Sequence, residues 1–345
     1  MAILRKRGAA ARTFIIENVD RHPADIARVA AERFRCTRQA IHKYLQQLLK
    51  EGILTAEGHT RSRVYRLAPL ITWHRRYLLA GLAEDRVWRE DVAPALGGHP
   101  DNVRDIWHYG FTEMLNNAID HSEGTSVTVE FAKTAAATKI TLIDDGIGIF
   151  KKIQAALHLA DERHSVLELA KGKLTTDPAN HTGEGIFFAS RMFDEFLILS
   201  GGVFFSHEFH ETEDWILQSS SSTKGTLVMM ELHNHTARTA RQVFDKFTSG
   251  EDYGFTNTVV PVNLMRYGDD NLVSRSQAKR LLARFERFKH VVLDFTGVTA
   301  IGQAFADEVF RVFREKNPQV QISVCNANPE VMRMIERAEA GRTPT

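Results

Sequence analysis

Four short segments carry residues whose types and spacing suit work on a phosphorylated ligand. In the run Glu113-Met-Leu-Asn-Asn117-Ala-Ile-Asp120-His121, Glu113 and Asn117 are four apart, so a helix sets them on one face. The amide oxygen of Asn117 is a hard ligand that suits Mg²⁺ between phosphates. Glu113, one turn away, is spaced to orient or deprotonate an attacking water or hydroxyl. Further on, Ile143-Asp144-Asp145-Gly146-Ile147-Gly148-Ile149 follows a strand pattern. There Asp144 can accept a hydrogen bond from an adenine amino group, and Gly146 and Gly148 let the backbone approach a ligand closely. Thr182-Gly183-Glu184-Gly185-Ile186 opens a helix whose free N–H groups can hold phosphate. A fourth piece, Lys224-Gly225-Thr226, leads into a strand.

The elements that must position these residues follow from periodicity. Asp101 is a plausible cap for a helix along which Ile106, Phe111, Met114, Leu115 and Ala118 keep helical spacing. Segments 126–131 and 139–143 alternate as strands, and 196–232 is strand-rich. The polar stretch 150–182, with two helical pieces, reads as a lid over the nucleotide. Residues 71–100 read as a connector that ends in the breakers Gly97-Gly98-His99-Pro100. A boundary is expected near 248–254. Beyond it, strands over 258–264, 291–295 and 321–324 alternate with helices over 277–288, 304–315 and 329–338, a small α/β module. The expected organisation is thus 1–70, the connector 71–100, 101–250 and 255–345.

The first seventy residues hold fourteen Lys and Arg against six Asp and Glu, an excess hidden by a total formal charge of +1. Within them a helix pattern over 25–34 and the short turn Arg35-Cys36 precede Thr37, which caps a second helix over 38–50. That helix buries Ile41, Leu45, Leu48 and Leu49 and turns Thr37, Arg38, Gln39, His42 and Lys43 outward near its start. Two strands around a turn at 57–60 follow. Over roughly residues 10–68 the pattern resembles winged-helix DNA-binding domains. A helix N-terminus fits the major groove, where Arg, Gln and Lys reach base edges or phosphates. On the wing, Arg61 and Arg63 would follow the DNA backbone or minor groove. Such modules also dock proteins, which is the competing use.

The four ligand segments, in this order, resemble the GHKL superfamily of ATPases, which includes gyrase, histidine kinases and MutL, over about residues 101–247. The resemblance implies a Bergerat-fold α/β sandwich that binds ATP with Mg²⁺. Carried over, Glu113 is the catalytic carboxylate, Asn117 the Mg²⁺ ligand and Asp144 the adenine reader. Asp120 and His121 line the phosphate pocket, Thr226 supports a water at the adenine, and Gly146, Gly148, Gly183 and Gly185 shape the nucleotide site. The run from Glu113 to His121 is most similar to the anti-sigma-factor serine kinases, which phosphorylate a small STAS partner. Over about 255–340 the chain resembles the STAS-like domain of unknown function, carried by 272–281, 291–295 and 301–310. In anti-sigma antagonists the phosphorylated serine begins the helix after the central strand; here that place reads Gly302-Gln303-Ala304, with no hydroxyl. Thr296 and Thr299 are displaced from it, and Ser274 and Ser276 read as helix caps.

The fold class expected is α+β multidomain: a winged helix, a Bergerat-fold ATPase, then a STAS-like module. With 43% hydrophobic and 25% charged residues the composition is that of a soluble globular protein, and a cytoplasmic location is expected. No stretch approaches ~18 apolar residues, so no membrane partner is expected. Two cysteines, Cys36 and Cys325, form neither a metal pair nor a disulfide framework. His233-Asn234-His235 and His207-Glu-Phe-His210 lack metal-site spacing and are set aside. The expected function is an ATP-binding, slowly hydrolysing regulator whose nucleotide state gates binding of double-stranded DNA or of a protein docked on the STAS-like domain. A serine/threonine kinase acting on a separate partner is the alternative, and a non-enzymatic nucleotide-binding scaffold the third reading. A homodimer is compatible with the sequence, though no heptad seam argues for one.

Overall fold

The computed structural model describes residues 2–59, 62–174, 183–209, 215–249, 254–265 and 272–340. The chain opens with helices α1 (Ala2–Asn18), α2 (Ile26–Phe34) and α3 (Arg38–Lys50), followed by an antiparallel hairpin of β1 (Leu54–Glu57) and β2 (Val64–Leu67). These elements share a core of their own. Ile15 and Val19 from the end of α1 and its following turn meet Ile26 and Ala30 of α2, Ile41, Leu45 and Leu48 of α3, and Leu54 and Tyr65 of the hairpin. Arg35, in the left-handed conformation at φ 47°, ends α2, and the Thr37 hydroxyl accepts the Ala40 N–H to start α3. The helix α1 was not among the expected elements. Its inward residues Ala11, Ile15 and Val19 recur every four positions and supply the stripe that holds it down.

Residues 71–96, expected as connector, are built into the next unit. β3 (Ile71–Leu78) pairs antiparallel with β4 (Ser126–Lys133), from Ile71 opposite Lys133 to Leu78 opposite Ser126, and Trp73 stacks on Phe131 with centroids 5.3 Å apart. A helical stretch follows, α4 (Glu84–Val87), a π-turn (Trp88–Val92) and α5 (Ala93–Leu96), which buries Val87, Trp88, Val92 and Leu96. The cause is apolar burial. These side chains and the long helix α6 (Asp101–His121) belong to one core.

β5 (Ala137–Asp144), β6 (Glu195–Glu208) and β7 (Trp215–His233) complete a five-stranded antiparallel sheet in the order β3-β4-β5-β7-β6. Alternate residues, among them Val127, Val129, Ile140, Leu142, Phe196, Ile198 and Met230, are buried. α6 approaches closely because Gly110 has no side chain: a Cβ there would overlap the Phe193 ring. Between β5 and β6 run α7 (Ile149–Leu157), α8 (Glu162–Lys171) and α9 (Gly185–Met192). The expected lid is therefore only partly such. α8 is buried from His164 to Lys171, packed against its neighbours as a core helix, and residues 175–182 lie outside the described residues.

After α10 (Ala240–Phe247) come the short β8 (Thr248–Ser249) and β9 (Gly254–Phe255) and then a three-stranded parallel sheet in the order β10-β11-β12. β10 (Asn257–Pro261), β11 (His290–Asp294) and β12 (Gln321–Cys325) alternate with α11 (Arg275–Leu282), the helix α12 (Gln303–Asp307) that runs through a π-turn into α13 (Phe313–Lys316), and α14 (Pro329–Ala340). The strand–helix alternation is the one expected, but the first strand ends at Pro261 in a 3-10 turn over Val262–Met265, and the first helix ends at Leu282 with a 3-10 turn over Phe285–Arg287. The expected boundary near 248–254 is not a break in packing. α8 lies against β10, Phe255 packs between Phe187 and Phe288, and one apolar core runs from Leu79 to Ala338.

A buried ionic triad sits at that junction. Lys171 Nζ is 2.6 Å from Glu168 Oε1 and donates to the carbonyls of Arg280 and Ala283 at 3.1 and 3.0 Å. Arg284 donates to Glu168 Oε2 at 2.9 Å and to the carbonyls of Gly172 and Lys173.

Candidate functional site

Against the five-stranded sheet a cavity of about 280 Å³ opens between α6, α7, α9, the end of β5 and the interior of β7. It is small against the ~300–1,000 Å³ of typical small-molecule sites, and its walls are largely apolar, with Met114, Leu142, Ile153 and Val228 among them. Glu113, Asn117 and His121 reach it from α6, Asp144 from the end of β5, Gly183 and Gly185 from the start of α9, and Thr226 from β7. Seven expected ligand residues from four distant segments thus share one cavity.

Asp144 is its anchor. The carboxylate is 8% exposed, and Oδ1 accepts the N–H of Gly146 at 2.9 Å and of Thr226 at 3.2 Å. Burial pushes its pKa up, while those two N–H groups and the Thr226 side chain pull the other way. Thr226 is itself fixed, because its hydroxyl accepts the Ile149 N–H at 3.0 Å. The neighbouring Asp145 does different work. It accepts from the N–H and hydroxyl groups of both Thr125 and Ser126, bonds that hold its carboxyl far below the usual range and tie the loop down.

Three expected ligand residues do not line the cavity. Asp120 is exposed on α6. Gly146 and Gly148 are buried against protein: a Cβ on Gly146 would overlap the Ser122 carbonyl, and one on Gly148, at φ +91°, would come within 2.6 Å of Ser200 Oγ. Their lack of a side chain lets the loop pack on itself, where the sequence suggested close approach to a ligand. Gly183 and Gly185 line the cavity and are also packed tightly against protein. Gly183 accepts the Leu174 N–H at 3.0 Å across the undescribed segment, and a Cβ on Gly185 would overlap Glu113 Oε2. The start of α9 therefore abuts the Glu113 carboxylate.

Sequence reasoning missed Lys152. It lines the cavity from α7, and its ammonium donates to the His121 carbonyl at 2.7 Å and to Glu123 at 3.0 Å. The available signal was a cation one turn after Gly148, on the first turn of a helix that the Asp-x-Gly-x-Gly loop must start.

The residues expected to meet nucleic acid fall into two groups. Thr37, Arg38, Gln39, His42 and Lys43 are all exposed at the start of α3, with the Thr37 hydroxyl committed to its cap. Arg63 is half-buried, its guanidinium 5.4 Å from the Tyr65 ring centroid, so it packs on the hairpin. Arg61 lies outside the described residues.

Two of the hydroxyls weighed as phosphate acceptors in the C-terminal module, Ser274 and Thr296, are held by neighbouring residues. Ser274 caps α11 in a capping box with Gln277, and Gly302 stands at the N-cap of α12. The Thr296 hydroxyl donates to Asp294 at 2.7 Å. Asp307 pairs with Arg311 at 2.6 Å, a polar helix-face pair.

The architecture is a mixed α/β protein with several sheets, and among the described residues no helix is long and apolar enough to cross a membrane. Residues 277–332 match the family model of the STAS-like domain of unknown function (DUF4325), so the C-terminal parallel sheet and its helices carry a STAS-like domain. No curated protein matches the chain.

Proposed function

We propose that this chain is an ATP·Mg²⁺-binding regulator in which a GHKL-type nucleotide domain controls a winged-helix module that binds double-stranded DNA. One observation carries the reading: Glu113, Asn117, Asp144 and Thr226, from segments more than a hundred residues apart at the extremes, converge on one cavity with a buried carboxylate as its anchor. A buried acceptor in an apolar slot suits the amino edge of a purine, which supplies a donor pair and stacking area. The Asp144 Oδ1 atom is occupied by two backbone donors, so Oδ2 is the acceptor for the base. Asn117 offers one neutral oxygen, which fits Mg²⁺ because that ion keeps most of its shell as water and phosphate oxygen. Bound Mg²⁺ would supply neutralisation of phosphate charge. Lys152 adds a fixed cation to the lining, held by the His121 carbonyl and Glu123, and Glu113 is the general base for the attacking water.

Support for DNA as the output is the row of exposed donors at the start of α3, in a segment with fourteen basic and six acidic residues. The STAS-like domain shares a core with the nucleotide domain, so nucleotide state has a packed route to the STAS-like domain. The test is DNA affinity of the full chain on random duplex, with and without ATP·Mg²⁺, across a salt series. The expected result is a log–log salt slope of about −0.9 per phosphate contacted, and an affinity that changes when nucleotide is added. No binding at low salt, with ATP still bound, would overturn the DNA reading and favour phosphate transfer to a separate protein partner.

A further inference from the structure

A second and larger cavity, about 1110 Å³, lies where three parts of the chain meet. One wall is the end of α1 and the turn after it, with Asn18 and Arg21. Another is the β6–β7 side of the antiparallel sheet together with α10. The third is the carboxyl end of the parallel sheet: Pro261 ends β10, Asp294 ends β11 and Asn326 follows β12, and all three line the cavity. Open parallel sheets take their ligands at the carboxyl ends of the strands.

The charge around this space is not balanced by the protein alone. Asp194 is already neutralised: it accepts from Arg238 at 2.9 Å and from the N–H and Nδ1 of His233 at 2.7 and 2.8 Å. Asp294 Oδ1 is taken by the Thr296 N–H and hydroxyl and by Asn326. Those donors are neutral, so Asp294 and Glu17 both remain charged acids of the lining. Against these two stand three cations, Arg21, Arg191 and Lys246; Arg21 and Lys246 are exposed, and among the described residues no ion pair holds either of them. His207 and His235, from the two histidine pairs that carried no metal spacing in the sequence, line the same space. Arg238 is 8% exposed, with its guanidinium 3.4 Å from the Phe209 ring centroid, and its Nε is buried with no hydrogen-bond partner. A guanidinium held rigidly between Asp194 and Phe209, beside cations from separate elements that no ion pair holds, is the lining an anion requires.

The geometry points to this cavity as the site of a small polyanion, a polycarboxylate or a phosphate ester, bound between the N-terminal helices, the antiparallel sheet and the carboxyl edge of the STAS-like sheet. Such a ligand touches all three parts at once, so its presence fixes how they sit together. The site is separate from the nucleotide cavity, since no residue lines both.

The test is calorimetric titration of the full chain, without Mg²⁺ and at low salt, with citrate and with fructose 1,6-bisphosphate as probes. The expected result is binding of at least one probe, weakened at least about tenfold in the double variant Arg21→Glu/Lys246→Glu and unchanged in Asp144→Asn. Both substituted side chains are exposed, so the double variant keeps its melting temperature, and the stronger probe assigns carboxylate or phosphate chemistry. Failure of both probes, binding indifferent to the double variant, or binding lost in Asp144→Asn would each overturn the proposal.

Discussion

Replacing Glu168 with glutamine strands two buried cations. Lys171 is fully buried, Arg284 is 11% exposed at its side chain, and the carboxylate between them is 6% exposed. Burial pulls the Lys171 pKa down to about 8, and Glu168 is the chief influence that holds it up. Removing the anion leaves desolvated charge uncompensated, a change that costs about 3–5 kcal/mol in comparable sites. Against a total stability of about 5–15 kcal/mol this is a large fraction. Lys171→Met is expected to cost less, about 1–3 kcal/mol. It preserves the Glu168–Arg284 pair and leaves Glu168 Oε1 and the carbonyls of Arg280 and Ala283 without their donor. The sign of the pH dependence follows. In Glu168→Gln the folded state binds fewer protons than the unfolded one between the depressed Lys171 pKa and its ordinary value, so stability rises with pH over that window. Urea denaturation followed by tryptophan fluorescence and far-ultraviolet dichroism, at about pH 7 and about pH 9, reads both effects. Because one core spans Leu79 to Ala338, the transition of that region is expected to be single and to shift as a unit. A loss under about 1 kcal/mol at neutral pH, or one that grows with pH, would refute the account of the triad.

Other expectations test separate parts of the structure. Gly185→Ala puts a Cβ on Glu113 Oε2 and must displace the carboxylate. Phosphate release from ATP should fall by about a hundredfold with nucleotide affinity little changed, and unaltered turnover would remove Glu113 from the chemistry. Ser274→Ala loses a capping box and should cost about 1 kcal/mol in denaturation, and mass spectrometry after incubation with ATP should find no phosphate on Ser274 of the unsubstituted chain. The Asp194–His233 pair gives a pH signature. Bonds from His233 and Arg238 hold Asp194 down to about 2, so its stabilisation is present above the ordinary carboxylate value and is lost as pH falls toward about 2. The Asp194 hydrogen bond raises His233, so its part is present below the ordinary imidazole value and is lost as pH rises through the raised one. Melting temperature should therefore be highest in the mildly acid range, and Asp194→Asn should flatten both limbs; an unchanged profile in that variant would contradict the pairing.

The parts of the fold legible in the sequence were those with one-sided or continuous burial. The parallel sheet read correctly because Val291, Leu293 and Ile322 sit in short apolar runs between helices with clear stripes. The pairing of Glu113 with Asn117 on one helix face, and the strand-end place of Asp144, needed only local periodicity. β3 escaped because it is an edge strand, exposed along most of its length and carrying His74, Arg75 and Arg76, so neither alternation nor an apolar run marks it. The stretch 84–96 escaped because its helix is broken by a π-turn and by Pro94. α8 read as a polar lid because two of its charged residues, Glu168 and Lys171, are buried with partners more than a hundred residues away. The same distance hid the second cavity: His207, His233, Arg21 and Asn326 come together only through the folding of three segments. Gly146 and Gly148 show the opposite case, residues whose motif was visible but whose tight contacts are with the protein itself.

The most direct test of the central claim is the affinity of the full chain for ATP·Mg²⁺, compared with Asp144→Asn and Asn117→Ala. Asparagine at 144 can keep an oxygen on the N–H groups of Gly146 and Thr226, so the loop survives, but it turns an amide donor toward the adenine amino group. Losing a hydrogen bond to a charged acceptor, with a donor opposed to a donor, is worth about 2–3 kcal/mol, or about 30- to 150-fold in affinity. The account predicts saturable ATP binding by the unsubstituted chain, that loss in Asp144→Asn, and loss of the Mg²⁺-dependent part in Asn117→Ala. Absence of ATP binding by the unsubstituted chain, or affinity that survives both substitutions, would contradict it.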